Sequence, residues 1–421
     1  MRVDGFETAQ SRLIQKLKLE GSLRSELVET AFRNVPRHHF LPGLAAGQVY
    51  DDNAIVTKSL AGTALSSSSQ PSLMALMLEQ LQLRPGHRVL EIGAGTGYNA
   101  ALMASIVGPE GSIVTLDIDE DIVSKARDRL ARAGFGWVTV ECRDGSLGFL
   151  ERAPFDRIIL TIGTPDLAPT WIDQLKPDGV LVAPLSLLPT VQLSVAFTPA
   201  DGTLHSLSIA PCEFIPIRGA LAVESAAESL PLSPDGQLAL RVHDSKSLEA
   251  EGLLRALTEP ARTVAATRMT PRELTAFDFW LRLQSEHWCM LLAGGTWTGS
   301  PAIPALFTLG NGQSFTGGLA DAMGLCLLAR PASPAGPAPP YDPTAGPAEL
   351  LLKSFGRADG LAAGLLDLLS RWRSLGSPGM QQLHITMLTE GQEPPLSPAR
   401  RTISGPIHRF ALEWAQTSAP R

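Results

Sequence analysis

One stretch, Val89-Leu-Glu-Ile-Gly-Ala-Gly-Thr-Gly-Tyr98, restricts the folds open to this chain more than any other. Val89, Leu90 and Ile92 make a short buried-strand signal broken by Glu91. Gly93, Gly95 and Gly97 follow at alternate positions, and Asn99-Ala-Ala-Leu-Met-Ala104 reads as a helix start. Without Cβ, such glycines reach positive φ and let the backbone approach a ligand closely. The dinucleotide fingerprint G-x-G-x-x-G needs a glycine where Tyr98 stands. The G-x-G-x-G form is commoner in S-adenosylmethionine sites than in NAD sites. Taken alone, the stretch also suits a plain helix-capping loop.

The neighbouring segments repeat the strand–helix alternation. Ser112-Ile-Val-Thr-Leu-Asp117 is a second strand ending in an acid, where doubly wound sheets place the acceptor for ribose hydroxyls. Glu120–Ala133 reads as a helix, and Val138–Cys142 as a third strand leading into Arg143-Asp-Gly145. Asp144-Gly145 suits recognition of an adenine amino group, or is simply a turn. Phe155–Gly163 is a fourth strand, apolar from Ile158 to Leu160 as a sheet buried on both faces requires. Leu167–Leu175 reads as a helix, and Val180–Pro184, Gln192–Phe197 and Leu204–Ile209 complete the strand series. The expected fold is α/β, a doubly wound Rossmann-like sheet, whose ligands bind beyond the strand C-termini. Glu91–Gly97, Asp117 and Asp144 all fall at such ends.

Upstream, residues 6–33 carry apolar positions at helical spacing, and Val35-Pro-Arg-His-His-Phe-Leu-Pro42 is bounded by prolines. His38 and His39 lack an acid or cysteine at ligand spacing, so no metal site is expected. Ser66–Ser69 stand before Gln70-Pro71 and a helix over Ser72–Leu83. They either cap that helix or turn hydroxyls and amides toward a ligand at its N-terminus. The chain has 421 residues with a formal net charge of −7, which argues against a nucleic-acid footprint. It carries no apolar run of the roughly 20 residues that span a bilayer and no apolar signal region at Met1–Thr8, so a cytoplasmic protein without membrane contact is expected. The four cysteines show no C-x-x-C pattern and read as small hydrophobes.

Several ordered blocks together resemble the protein-L-isoaspartate O-methyltransferase family: Val35–Pro42, Tyr50-Asp-Asp52, Ser69-Gln-Pro71, Val89–Ala104, Asp144-Gly145, Phe155–Ile159 and Cys212-Glu-Phe-Ile-Pro-Ile217. The resemblance covers about residues 10–220. It implies S-adenosylmethionine binding at Glu91, Gly93, Gly95, Gly97, Asp117, Asp144 and Gly145, with Ala94, Thr96 and Ser68 placed beside them. It puts the family's active-site serine on Ser69. Asn53-Ala-Ile-Val-Thr-Lys58 stands where the family usually has a Pro-Leu-Pro-Ile-Gly-type stretch, and Ser66–Ser69 replaces Thr-Ile-Ser. With its extra C-terminal half, the chain is most similar to the larger actinobacterial members found with ribosomally made peptides, the lanthipeptides and graspetides. That likeness implies a modified precursor peptide as partner, methylated on an aspartate side chain that closes to an aspartimide and can open to isoaspartate.

The chemistry is consistent with the residues. A carboxylate with a pKa near ~4 is already ionised at neutral pH, so no general base is required, and proximity and alignment carry the catalysis. Ser69 would orient the carboxylate. Three units are expected: residues 1–220 as the catalytic domain, 221–240 as a linker, and 241–421 as a smaller α+β domain for peptide recognition or dimerisation. In the last, strands are expected at 288–292, 303–308, 322–328, 350–355, 383–388 and 407–414, with helices at 271–283 and 360–372 and a proline-rich loop over 331–347. Trp280, Trp288, Trp297, Trp372 and Trp414 read as core. Deleting 225–421 is expected to spare cofactor binding but abolish methylation of the native peptide. A general isoaspartyl repair enzyme and a non-catalytic cofactor-binding scaffold stand as alternatives.

Overall fold

The computed structural model describes residues 3–223, 228–298, 303–308, 312–331, 338–389, 391–393, 397 and 399–415. Helices α1 (Val3–Leu19), α2 (Glu26–Asn34) and α3 (Ala46–Val49) lead into a hairpin of β1 (Ile55–Leu60) and β2 (Thr63–Ser68), then α4 (Pro71–Leu81). The alternating series follows: β3 (Arg88–Ile92), α5 (Tyr98–Val107), β4 (Ser112–Asp117), α6 (Glu120–Arg132), β5 (Thr139–Cys142), β6 (Phe155–Leu160), α7 (Pro169–Asp173), β7 (Leu175–Leu188), β8 (Val191–Ala200) and β9 (Thr203–Pro211). Strands β5-β4-β3-β6-β7 lie side by side and parallel, and β8 and β9 add antiparallel beyond β7. The Rossmann-like expectation is met. Because β3 sits between β4 and β6, the winding direction reverses there, and the crevice at its C-terminal end is the ligand position of such sheets. The central strands β4 and β6 are buried on both faces, as their apolar runs require.

The serine run differs from the capping alternative. Ser66–Ser68 belong to β2, and α4 has Gln70 at its N-cap with no side-chain cap bond. Asp52 takes the capping role from 20 residues upstream, its Oδ1 accepting the Ser72 N–H at 2.8 Å.

The C-terminal half contributes β10 (Glu228–Pro231), β11 (Leu238–Val242), α8 (Ala250–Thr258), β12 (Arg262–Met269), α9 (Pro271–Gln284), β13 (Trp288–Ala293), β14 (Phe307–Thr308), β15 (Ser314–Asp321), β16 (Gly324–Ala329), β17 (Ala348–Gly356), α10 (Asp359–Ser374), β18 (Leu383–Leu388), β19 (Arg400–Ser404) and β20 (Arg409–Trp414). An antiparallel second sheet runs β10-β11-β13-β15-β16-β17-β12, with β14 also on β15. Within the stretch read as linker, residues 228–231 form β10. It is an edge strand, where the missing N–H of Pro231 leaves no ladder bond unmade. Strand β15 carries Gly317-Gly318 because a Cβ at Gly318 would overlap Cys326 O of the neighbouring strand. Of the proline-rich loop, residues 332–337 lie outside the described residues.

Strands β18, β20 and β19 do not join that second sheet. They extend the first from the β9 edge, through the pair Thr386–His205, Ile385 N–H on Ser206 Oγ at 2.9 Å, and Thr203 Oγ1 donating to Met387 O. Helices α9 and α10 fill the space between. One apolar core runs from Leu185 and Val195 through Phe277, Trp280 and Trp372 to Trp414. Trp280, Trp288, Trp372 and Trp414 are fully buried, whereas Trp297 only borders a second, smaller core. On its other face the first sheet is covered by α1, α2, α4, α5 and α6. No described helix is long and apolar enough to cross a membrane.

Candidate active site

The glycine turn is held from both neighbouring strands. Gly93 N–H and Ala94 N–H donate to Leu116 O of β4 (2.8 and 2.9 Å), and Thr161 Oγ1 beyond β6 donates to Gly93 O at 2.6 Å. A Cβ at Gly93, whose φ is +105°, would stand 2.5 Å from that Oγ1. Asp117, at the end of β4, accepts Gly95 N–H on Oδ2 (3.1 Å) and Asp119 N–H on Oδ1 (3.3 Å). Burial raises its carboxyl pKa against those two bonds. Glu91 stands behind the turn, wholly buried, with Oε1 accepting from Asn99 Nδ2 (2.8 Å) and Oε2 from Thr115 Oγ1 (2.6 Å). Burial pushes its carboxyl up to about 7.

A second set of bonds fixes the serines. Arg37, fully buried, donates to Val49 O (2.8 Å), Ser69 O (2.9 Å) and Ser68 Oγ (3.2 Å), so one guanidinium pins the end of β2. Asp52 anchors the start of α4 and accepts Gln70 Nε2 at 3.3 Å. Across the hairpin, Lys58 pairs with Asp119 (3.0 Å) and Asp121 (2.5 Å), and Arg218 pairs with the same Asp119 (2.7 Å). Neither Arg37, Lys58 nor Arg218 was assigned a role from sequence. Arg37 lies in the Val35–Pro42 block, but nothing local indicates that its partners are 12 to 32 residues away.

These elements enclose a cavity of about 990 Å³, its open mouth included. It brings together Ser68, Ser69, Gly93, Ala94, Gly95, Thr96, Asp117 and Gly145. Glu91, Gly97 and Asp144 are not on its lining. Gly97 N-caps α5 at φ +84°, and Asp144 is engaged by the backbone, accepting Ser146 N–H (2.9 Å) and Ala220 N–H (2.8 Å). Burial pulls the Asp144 pKa up, but the Ala220 and Ser146 bonds outweigh it and leave the carboxyl low. The cavity roof is the strap Phe214–Arg218, tied to the end of β6 by Gly163 N–H on Ile215 O and Ile217 N–H on Gly163 O (2.8 and 2.7 Å). Ser67 and Ser69 also face a neighbouring cavity of about 1320 Å³ lined by Val56, Gln70, Ser72 and the strap. His38 stacks on Phe6 and bonds Tyr50 Oη at 2.9 Å. Among the described residues no group of three or more His, Cys, Asp or Glu could hold a metal ion.

The chain is similar to known proteins over its first half. The model of the protein-L-isoaspartate(D-aspartate) O-methyltransferase family matches residues 8–222. The protein-L-isoaspartate O-methyltransferase of Hyperthermus butylicus is 39% identical over 222 residues, which are 51% of this chain and 90% of that protein. The Methanopyrus kandleri protein of the same name is 36% identical over 215 residues, 51% of this chain and 93% of its own. A solved protein-L-isoaspartate O-methyltransferase overlays 90% of this chain and 96% of its own at 25% identity and a TM-score of 0.49. The matched stretch is the hairpin, the glycine turn, the strand-end acids and the strap, and on that ground the chain belongs to the protein-L-isoaspartate(D-aspartate) O-methyltransferase family, S-adenosylmethionine-dependent carboxyl methyltransferases.

Proposed function

We propose that the chain esterifies an aspartate or isoaspartate carboxylate in a ribosomally made, modified precursor peptide in the cytoplasm. The observation that carries the methyl-transfer reading is the convergence of the glycine turn, Asp117 and Ser69 on one cavity. Its lining fits S-adenosylmethionine: Asp117 offers an acceptor for the ribose diol, Leu116, Ile118 and Ile162 give an apolar shelf, and Gly93–Gly95 leave room for close backbone approach. When bound, that cofactor supplies a sulfonium-activated methyl group. Ser69 holds the substrate carboxylate in line by hydrogen bonding. Glu91 is a positioning residue, fixing Asn99 and Thr115 behind the turn. Asp144 acts on the strap through Ala220 rather than on the cavity directly. In the ester, attack by the next residue's backbone nitrogen expels methanol and closes the aspartimide.

Two features support a dedicated peptide. The departing segment Asn53–Lys58 builds the hairpin, which exposes Val56 and Leu60 (57% and 68%) near the serine-side cavity. The second unit adds surface for recognition, or for dimerisation, beyond the family's matched region. General repair of isoaspartyl proteins is the second reading, favoured by relatives of that name matched over 90% or more of their length. Mass spectrometry after incubation with S-adenosylmethionine separates the two, using a generic isoaspartyl peptide and a cyclised precursor from the same genome. A gain of one methyl, or loss of one water, on the precursor alone is the expected result. Methylation of the generic peptide alone would leave repair as the function.

A further inference from the structure

Phe214 lines three cavities at once: the glycine-turn cavity, the serine-side cavity, and a third of about 2050 Å³ between the first sheet and the C-terminal half. Pro211–Phe214 lines both the second and the third, which sets the two cavities side by side along the strap. Gln192 of β8 keeps that wall in place, its Oε1 accepting Phe214 N–H at 2.6 Å and its Nε2 donating to Ser186 Oγ at 3.0 Å. The far side of the third cavity comes from the C-terminal half, through Arg241 of β11, Phe279 and Arg282 of α9, Met380, and Ile403 of β19.

The ionisable side chains on this wall are mainly basic. In a chain of net charge −7, the lining carries, among the described residues, Arg241 and Arg282 against a single acid, Glu213. Arg282 is already engaged, paired with Asp278 at 2.7 Å and stacked over Trp288. Arg241 meets Glu213 only at 3.8 Å, beyond hydrogen-bond reach, and the Glu213 side chain is 85% exposed. Arg241 is therefore the cation that this wall offers to a ligand. An extended peptide advances about 3.3 Å per residue and turns alternate side chains to opposite walls. A trench with an apolar side at Phe279 and Met380 and a guanidinium on the strand beside it suits such a chain better than a compact small molecule.

We infer that the third cavity is a second arm of the substrate site, taking an acidic flank of the peptide whose reacting carboxylate lies at Ser69, with Arg241 as its anchor. This rests on the methyl-transfer reading above. The test uses the full chain and a short isoaspartyl peptide, alone or extended by three aspartates or three lysines. The extension also carries a benzophenone residue for photo-cross-linking. The acidic extension is expected to lower KM by about tenfold, equivalent to ~1.4 kcal/mol, with kcat unchanged. R241E is expected to erase that gain and transfer it to the lysine extension, leaving the short peptide's KM and kcat as they were; R241Q should fall between. Cross-links to Met380 or Phe279–Arg282 are expected. Equal KM for both extensions, or cross-links confined to residues 54–76, would overturn the second arm. Cross-linking at Met380 without methylation of any peptide would instead sustain the arm and sink the proposed reaction.

Discussion

Asp117 owes its position to two backbone donors, Gly95 and Asp119, and to its place at the end of a central strand. Each carboxylate oxygen takes one of these donors, and a carboxylate has about four lone-pair sites, so acceptor capacity remains for a ligand diol in the cavity. Asp117→Ala removes a charged acceptor, for which 1.5–3 kcal/mol is typical, so S-adenosylmethionine should bind about 10–100-fold more weakly by calorimetry. Unaltered affinity would count against the ribose assignment. Glu91 makes a different prediction, in stability. Its carboxyl is raised to about 7 by burial, whereas in the unfolded chain it titrates near ~4.3. Below the unfolded value both states are protonated and the contribution is whole. Between the two values the folded state keeps a proton that the unfolded state has released, so stability falls as pH rises through 7 and then levels. At 1.36 kcal/mol per unit, the loss is on the order of 4 kcal/mol. Glu91→Gln cannot titrate and should flatten this slope in denaturant unfolding at pH 5 and pH 8; an unchanged slope would place the titration elsewhere.

At the scale of elements, the β1–β2 hairpin is a flap fastened at both ends. Arg37 fixes its β2 end from below, while Lys58 ties its β1 side to Asp119 and Asp121 at the start of α6. The Lys58 ammonium is partly exposed, so the tie is subject to salt screening, whereas the buried Arg37 bonds are not. Lys58→Ala should speed release of S-adenosylhomocysteine several-fold at low ionic strength in stopped-flow fluorescence. The difference should vanish near ~1 M salt, where the Debye length is about 3 Å. A difference that persists at high salt would mean the lysine acts by packing. The same hairpin marks where sequence reading stops. The β3–turn–α5 segment was legible because an apolar run, three glycines and a helix start are contiguous. The serine run admitted a capping role because its helix's capper, Asp52, is 20 residues away. Strand β15 was hidden by Gly317-Gly318, which look like a turn until Asp278 Oδ1 is seen against the first and Cys326 O against the second. Helix α9 was legible through its apolar face of Phe277, Trp280 and Leu281, and the Thr270–Glu273 capping box that starts it is seen in the structure. Arg37, Lys58 and Arg218 act only across folded distances, which local pattern does not encode.

At the scale of the molecule, the chain returns on itself. Local pattern located β18 and β20 but left open which sheet receives them, since pairing to β9 spans about 180 residues. Asp166, wholly buried after β6, fastens this return. Its Oδ2 accepts Ile407 N–H and His408 N–H (2.7 and 2.8 Å), and its Oδ1 takes His408 Nδ1 at 2.7 Å. The apolar face of β7 and β8, with Leu185 and Val195 at zero exposure, is covered by the same core that includes Phe277, Trp280 and Trp414. Removing residues 225–421 would therefore open the sheet's second face to water and strand the Asp166 carboxylate among lost partners. This argues against the expectation that such a truncation spares cofactor binding. Each kcal/mol lost lowers Tm by about 2–4 °C in a domain of this size, and large apolar side chains contribute about 1.5–3 kcal/mol each on full burial. The fragment 1–224 should thus melt well below the full chain or aggregate, while the full chain should unfold in one cooperative transition by calorimetry. A soluble fragment with the parent's Tm and unchanged S-adenosylmethionine affinity would show that the two halves share a boundary but not a core.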